Sequence, residues 1–294
     1  MKTLSHRFLF GILFGTVLAA LFILSGTHAW AAGWDDVEAA WAAKRRGQNA
    51  EAIKLVTRGI NSGKLKGIRL ARAYVTLGRA YQAMNRLREA GTEYTRAIKL
   101  VDKTIQLGRL SGKDLAYAYN TRGLSHQKMG RLEKAIADYN IALKILPGFH
   151  KFLLNRANAY SLLGRYGLAI VDYSVALEAQ PGSFNLYYSR AAAQVWQGNY
   201  EQAIADYEQA LKINPKDSFG WGVFIGRGNA YFMKGDYGQA IADYERSLTL
   251  NPRYKAVKKR IAKARKAMKH SAQPGYESDS DLWASVKLER SSQK

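Results

Sequence analysis

The amino-acid sequence predicts an all-α solenoid of about six tandem helix-turn-helix repeats, followed by a basic capping helix. Two observations support this prediction. Small residues, tyrosine and proline recur at fixed spacing, and Gly130, Gly164 and Gly198 stand 34 residues apart. The motif Ala-Ile-x-Asp-Tyr occurs four times, beginning at positions 135, 169, 203 and 240. A period of this length indicates stacked units, each of which buries its apolar face against its neighbours.

Composition limits the class of protein. The chain has 294 residues, of which 47% are apolar, which is enough to form a buried core. Lysine and arginine number 45 against 23 acidic residues, so the formal net charge is +22. This excess favours anionic partners but carries no information about the fold. The absence of cysteine excludes a disulfide framework and any cysteine-based metal site or nucleophile.

The first 31 residues have the parts of a secretory signal peptide. Lys2 and Arg7 precede an apolar run over residues 8–24, and a small-x-small triplet ends at Ala31. Cleavage after Ala31 removes these two charges and no acid, so the net charge falls from +22 to +20. The alternative is an uncleaved anchor formed by residues 8–24. Either outcome predicts a periplasmic or other extracytoplasmic chain, because the basic residues precede the apolar run.

Residues 34–252 form the predicted repeat domain, whose first unit, over 34–67, is degenerate. Acids at the start of its first helix and Gly47 after the last turn are typical of a helix with a left-handed cap. A second amphipathic helix follows from Glu51 to Ile60. The later units match one another more closely.

Those later units share small residues where two helices cross, tyrosines between neighbouring units, a turn glycine and a terminal proline. In the third unit these are Tyr119, Gly123, Gly130, Ala135, Tyr139, Ala142 and Pro147. The spacing resembles the tetratricopeptide repeat, a 34-residue helix-turn-helix unit. The resemblance implies a right-handed superhelical solenoid that binds a protein or peptide in its concave groove.

A few positions depart from the repeated pattern. His126 and Gln194 replace the usual aromatic residue of the first helix, and Asn85 replaces the turn glycine. Asp102 stands where later units have proline, and the segment from Asp102 to Lys113 lengthens that connection.

One correlation goes beyond the shared pattern. In four units an arginine precedes the small crossing residue, and an aspartate follows the arginine by 16 residues. The pairs are Arg122 and Asp138, Arg156 and Asp172, Arg190 and Asp206, and Arg227 and Asp243. In the second unit Leu77 replaces the arginine, and the acid is Glu93. We interpret the four as partly buried structural ion pairs that bridge helices; a ligand-binding arginine ladder is the alternative.

The resemblance implies that the first helix of each unit lines the inner groove. The matching positions give a candidate peptide-binding groove: Arg72, Arg79, Gln82, Tyr117, Asn120, Gln127, Lys128, Lys151, Asn158, Tyr188, Trp196, Asn229 and Phe232. Its N-terminal end is basic and its C-terminal end aromatic. Amides can hold a peptide main chain, and aromatic rings can receive apolar side chains. An ordinary amphipathic face is the alternative. The family's carboxylate clamp is not supported, since its lysine positions hold Asn120, Leu154 and Tyr188.

Residues 253–269 contain nine lysines or arginines and no acid, with Val257, Ile261 and Ala264 at helical spacing. We predict a helix that caps the last repeat and carries a basic patch of Lys258, Lys259, Arg260, Lys263, Arg265 and Lys266. The tail over 270–294 is predicted to be disordered, with Leu282 and Trp283 as an open candidate for a short docking segment.

The sequence lacks a recognisable catalytic constellation. After residue 31 the only histidines are His126, His150 and His270, which are too scattered for a metal site. We therefore expect no enzyme, no metal and no cofactor.

The prediction is a non-catalytic protein–protein interaction scaffold or assembly factor, with its partner in the cell envelope. The alternative is a surface-associating protein that binds anionic lipid, glycan or cell-wall polymer through its basic helix. Nucleic acid is not expected as a partner of an exported chain.

Overall fold

A computed structural model describes residues 33–214 and 220–271. Over these residues the chain contains thirteen helices and no strand, as the all-α prediction requires. They fall into two compact units, which divide between Leu163 and Gly164. The predicted signal segment over 1–31 and nearly all of the predicted tail lie outside the described residues. No described helix has the length and apolar character needed to cross a membrane.

The first unit holds seven helices. They are α1 (33–45), α2 (Asn49–Asn61), α3 (Gly67–Ala83), α4 (Leu87–Gln106), α5 (Gly112–Lys128), α6 (Leu132–Ile145) and α7 (His150–Leu162). The second unit holds six. They are α8 (Tyr166–Ala179), α9 (Phe184–Gln197), α10 (Tyr200–Ile213), α11 (Gly220–Lys234), α12 (Tyr237–Leu250) and α13 (Ala256–Ser271). Odd-numbered helices from α1 to α11 are the first helices of the repeats, and even-numbered helices are the second.

Turn residues and prolines end the helices where the pattern predicts. Gly130, Gly164 and Gly198 all have positive φ, and Asn85 takes the same left-handed conformation at φ 57°. Asparagine tolerates this region better than other non-glycine residues, which explains its use in place of glycine. α6 ends two residues before Pro147, since proline disfavours a helical conformation at the residue that precedes it.

The helix crossings depend on the absence of a side chain. A Cβ atom added to Gly123 would lie 2.8 Å from Cε1 of Tyr139, and one added to Gly228 would lie 2.8 Å from Cε1 of Tyr244. The two helices of a repeat therefore approach until a tyrosine ring of the second helix rests on the backbone of the first. Tyr139 and Tyr244 are 0% and 3% exposed, so these rings are a main part of the core.

The connection after the second repeat differs from the prediction. α4 does not end near Asp102 but continues to Gln106, and α5 begins at Gly112. The absence of proline at this position lets the helix continue for another turn. The additional residues therefore lengthen a helix, and the loop that remains is short.

Four buried side-chain atoms have no hydrogen-bond partner in the described part of the chain. They are Glu93 Oε2, His126 Nδ1, Gln194 Oε1 and Ser247 Oγ. All four stand where the repeat pattern is broken: Glu93 lacks the usual arginine, His126 and Gln194 replace an aromatic residue, and Ser247 replaces alanine. A buried polar atom without a hydrogen-bond partner lowers the stability of the folded state. These departures from the repeat pattern therefore mark positions where the fold is destabilised.

Replacement of Ser247 by alanine is expected to stabilise the protein by about 1 kcal/mol. Ser247 is 1% exposed and its hydroxyl is unpaired, while the matching Ala142 is 0% exposed. Alanine removes the unpaired group and has the higher helix propensity. Chemical denaturation of both proteins measures the difference. The reverse change, Ala142→Ser, is the matched control and should destabilise by a similar amount; stabilisation by both variants would contradict this explanation.

Candidate functional site

On α3 of the first unit, Arg72 does not project freely into a groove. Its guanidinium carbon lies 4.8 Å from the ring centroid of Trp34, 5.2 Å from that of Trp41 and 5.8 Å from that of Tyr117. Burial lowers the pKa of this guanidinium. Tyr117 itself packs edge-on against Phe152 at 5.3 Å. Both predicted groove residues therefore join the first helices of consecutive repeats through cation–π and aromatic contacts.

Predicted groove amides accept hydrogen bonds from the buried tyrosines. The Tyr94 hydroxyl donates to Gln82 Oε1 at 3.1 Å, and the Tyr139 hydroxyl donates to Gln127 Oε1 at 2.7 Å. Burial raises the pKa of Tyr94 to about 12, so this hydroxyl keeps its proton. The oxygen of each amide serves the scaffold, and its NH₂ group is left as a donor.

Asn229 has the same role in the last repeat of the second unit. Its Oδ1 accepts from the Tyr244 hydroxyl at 2.9 Å and from Arg260 Nη1 of α13 at 2.8 Å. Burial raises the pKa of Tyr244 to about 12.

Asn120, Lys151 and Asn158 lie in the first unit. Asn120 Oδ1 accepts from Asn155 Nδ2 at 2.8 Å, which ties α5 to α7. Lys151 is exposed at the start of α7, and Asn158 is half-buried on the same helix.

Three cations of the first unit form a group that we call the basic triad: Lys44 on α1, Arg79 on α3 and Lys128 on α5. Burial, reinforced by the charge of Arg79, lowers the pKa of Lys44. Burial followed by the charges of Arg79 and Lys44 lowers the pKa of Lys128. The three charges are thus close enough to repel one another. Lys44 is absent from the predicted groove, because the match of its degenerate repeat to the pattern is weak and no groove position was assigned in it.

The second unit carries exposed or half-buried aromatic rings on its first helices. We call Tyr188, Trp196 and Phe232 the aromatic patch. Tyr188 is 36% exposed, and its ring lies edge-on to Tyr207 at 5.8 Å. Trp196 stacks on Tyr166 at 6.0 Å. Phe232 is half-buried, with Lys263 Nζ 5.7 Å from its ring centroid.

Glycines of α11 accommodate the tyrosines of the preceding repeat. A Cβ atom on Gly226 would lie 2.5 Å from the Tyr207 ring, and one on Gly222 would lie 3.7 Å from the Tyr188 hydroxyl. Neither glycine lies in a loop, since both are inside α11. The lack of a side chain at Gly226 lets α11 approach the Tyr207 ring of α10, whereas a Cβ atom at Gly222 would make only an ordinary contact with Tyr188.

Three of the predicted ion pairs have bidentate geometry. Arg122 donates to the two Asp138 oxygens at 2.9 and 2.6 Å, and Arg190 donates to those of Asp206 at 2.7 Å each. Arg227 donates to both oxygens of Asp243 at 2.8 Å. The hydrogen bond with Asp138 raises the pKa of Arg122. Arg156 and Asp172 belong to different units, and their pairing stays a prediction.

Each of these arginines also reaches the second helix of the preceding repeat. The additional hydrogen-bond acceptors are Asp102 at 2.7 Å from Arg122, Asn140 at 2.7 Å from Arg156 and Ser174 at 3.0 Å from Arg190. Glu208 forms an ion pair with Arg227 at 3.7 Å. These acceptors were not predicted from the sequence. The polar residue that directly follows Asp-Tyr in three of the repeats was the available signal. Because Arg122, Arg190 and Arg227 are each engaged on two sides, a scaffold role fits these three better than a ligand-binding ladder.

α13 packs on α12 through its apolar side and presents its basic side outward. Val257, Ile261 and Ala264 form one cluster with Ala240 and Tyr244. The helix begins at Ala256, three residues later than predicted, because a turn follows Pro252.

The basic patch of α13 is only partly available. Arg265 donates to Glu245 at 2.8 Å, and Arg260 donates to Asn229 as described above. Lys258, Lys259 and Lys266 are exposed, and no ion pair engages them in the described ranges.

Histidines and acids do not assemble into a metal site within the described ranges. Residues 33–214 and 220–271 contain no group of three or more histidine, cysteine or acidic side chains placed to hold an ion.

The helix pairs, their crossing residues and these first-helix surfaces define an all-α repeat protein. Two family models described as tetratricopeptide repeat match the chain, one at residues 116–149, 184–217 and 223–254, the other at 71–100 and 150–183. Together the matches cover more than half of the sequence, and the chain belongs to the tetratricopeptide-repeat family. Members of this family bind protein or peptide partners and are generally non-catalytic scaffolds.

Solved structures with TM-scores above 0.5 support the same fold. The APC/C hetero-tetramer Cut9–Hcn1 is 15% identical, with 78% of this chain and 42% of that chain covered and a TM-score of 0.58. A tetratricopeptide-repeat protein from Thermus thermophilus is 19% identical, with 66% and 98% covered and a TM-score of 0.51. No curated protein matches the chain.

Proposed function

We propose that the protein is a non-catalytic scaffold or assembly factor outside the cytoplasm that holds a peptide or helix of a partner protein on its first-helix surfaces. The aromatic patch is the main support. Tyr188 and Phe232 do not belong to the repeated pattern, yet they remain half-buried or exposed on first helices. Exposed aromatic rings are typical anchors for a protein partner.

A crosslinking pull-down from the cell envelope tests this proposal. We expect the intact chain to recover a reproducible set of partners that a Tyr188→Ala, Trp196→Ala, Phe232→Ala variant recovers at least about tenfold less well, because hot-spot aromatics contribute 2 kcal/mol or more, roughly, each. Quantitative mass spectrometry of the crosslinked material measures the ratio.

A matched variant controls for the loss of apolar surface in general. Leu168, Val171 and Val175 on α8 are 50%, 59% and 37% exposed and lie in the same unit. Their replacement by alanine should leave the recovered partners unchanged. If the aromatic-patch variant recovers the same partners as the intact chain, binding by this surface is wrong.

The extracytoplasmic setting rests on residues 1–31, whose basic head, apolar run and small-x-small triplet support export. N-terminal sequencing of the protein from the cell envelope distinguishes the two forms. A mature chain that begins at Ala32 indicates cleavage, and a chain that retains residues 8–24 indicates an anchor. Recovery of the protein from the cytoplasm alone would contradict export.

The alternative function is adhesion to anionic lipid, glycan or cell-wall polymer through α13. The exposed Lys258, Lys259 and Lys266 favour it, because they have no ion-pair partner in the described ranges. Salt separates the two functions, since screening weakens exposed charges far more than buried aromatic contacts. Partner recovery that persists at high ionic strength supports the first-helix surface, and a steep fall supports α13.

A further inference from the structure

The basic triad is a group of charges that the scaffold does not require. Arg72 lies among aromatic rings, and Arg122 is paired with aspartates. Lys44, Arg79 and Lys128 have neither kind of contact, and across the described residues no hydrogen bond or ion pair engages them. Lys44 and Lys128 are half-buried and Arg79 is exposed. Since like charges beside half-buried cations lower stability, their clustering points to a ligand of opposite charge.

The fold brings the three cations together across three consecutive repeats. α1 packs on α3, where Ala40 and Ala43 share a cluster with Ala73 and Ala80, and α3 contacts α5 directly. Arg79 stands in the middle helix, and it influences the pKa of both flanking lysines. The triad therefore forms one positively charged surface of the first unit.

Uncharged donors lie beside the central cation. The charge of Arg79 also acts on the hydroxyls of Tyr94 and Tyr139, which places its guanidinium near both. Those hydroxyls are bonded to Gln82 and Gln127. Because the amide oxygens are occupied, the NH₂ groups of both glutamines are the donors that remain for the carbonyl groups of a bound chain.

The packing of the three helices that carry the cations favours an extended ligand. Packed helices lie roughly 8–10 Å apart, and an extended chain advances roughly 3.3 Å per residue. Carboxylates two or three residues apart are then roughly 7–10 Å apart, which matches one cation per helix.

We propose that the basic triad binds an extended acidic segment of a partner protein, with carboxylates at alternate or every third positions. The inference rests on the proposed function, because it names the kind of partner segment that the first-helix surface of the first unit would hold. It differs from the carboxylate clamp of the family, since none of the three cations occupies a lysine position of that clamp.

Fluorescence anisotropy with the full chain and a labelled peptide of alternating aspartate and glycine tests the proposal. A Lys44→Gln, Arg79→Gln, Lys128→Gln variant should bind this peptide at least about tenfold more weakly, because three charge-assisted contacts are lost. The control variant Lys258→Gln, Lys259→Gln, Lys266→Gln makes the same change in net charge. It should bind within about twofold of the unchanged chain.

If something other than an acidic segment of a partner protein binds the basic triad, the peptide-binding measurements will differ. Equal losses in both variants would show that net charge alone attracts the peptide, and the proposal would be wrong. Displacement of the peptide by millimolar inorganic phosphate, but not by unlabelled peptide, would also overturn it. Removal of residues 272–294, which include Glu277, Asp279 and Asp281, should leave peptide binding unchanged. If removal instead raised the affinity for the peptide tenfold, the segment over 272–294 would be the occupant of the basic triad, and a partner protein would be contradicted.

Two measurements distinguish a loss of peptide binding at the basic triad from a loss of folding and from an effect of the aromatic patch. The triad variant should melt at the same temperature as the unchanged chain or higher, because repulsion is removed; a lower melting temperature would indicate a structural role. The Tyr188→Ala, Trp196→Ala, Phe232→Ala variant should retain peptide binding. If the peptide does not bind while partner recovery still depends on the aromatic patch, only the acidic-segment inference fails.

Discussion

Replacement of Arg190 by leucine is expected to lower the free energy of unfolding by about 3–5 kcal/mol. Arg190 donates to both oxygens of Asp206, whose side chain is only 7% exposed, and to Ser174 at 3.0 Å. Leucine leaves the Asp206 carboxylate without its cation in a site where water cannot replace it. It also removes a link between α8, α9 and α10. Denaturant unfolding followed by circular dichroism measures the change.

Two variants determine whether the stranded carboxylate is the cause. In an Arg190→Leu, Asp206→Leu double variant both charges are absent, and buried ion pairs can often be replaced by apolar residues at little cost. The double variant should therefore recover most of the lost stability. Arg246 is exposed on α12, and Arg246→Leu should change stability by less than about 0.5 kcal/mol. A single variant as stable as the unchanged chain would show that the pair contributes no stability.

The periodic part of the structure was predictable from the sequence because it depends on residues that recur. Gly123 and Tyr139 meet at a helix crossing, as do Gly228 and Tyr244, so the recurring spacing predicts both helices and their contact. The 16-residue spacing of Arg190 and Asp206 predicted their proximity in the same way. The continuation of α4 past Asp102 was not predicted, because a missing proline does not say how far a helix continues.

The second acceptors of the arginines were harder to predict because their identity varies. Asn140, Ser174 and Glu208 follow the Asp-Tyr pair in their repeats, and all three accept from or lie near an arginine of the next repeat. What they share is a position and an acceptor oxygen. A search for a recurring residue type does not detect such a set.

The candidate site was predictable only in outline. The sequence placed Arg79, Lys128 and Tyr188 on first helices, where the structure also has them. It could not show that Arg72 lies against Trp34 of the degenerate repeat, since this contact joins distant parts of the chain and occurs once. Contacts that occur once leave no periodic signal.

Replacement of Tyr139 by alanine is the second change with a large expected effect, a loss of about 3–5 kcal/mol. Its ring is 0% exposed and rests on Gly123, and in the same cluster lie Ala135, Ile136 and Ala159. Alanine would leave a cavity between two repeats, because the helices cannot move closer without breaking their other contacts. Thermal and denaturant unfolding of the variant measure this loss.

The matched control for this change is Tyr139→Phe, which keeps the ring and removes only the hydroxyl bonded to Gln127. It should cost about 1 kcal/mol, the usual net value of one hydrogen bond. Leu87→Ala on α4, where leucine is 62% exposed, should cost less than about 1 kcal/mol. If Tyr139→Phe and Tyr139→Ala were equally destabilising, the hydroxyl would hold the repeats together and the account of ring packing against the crossing glycine would be wrong. A large gap between them would assign the stability of the crossing to the ring.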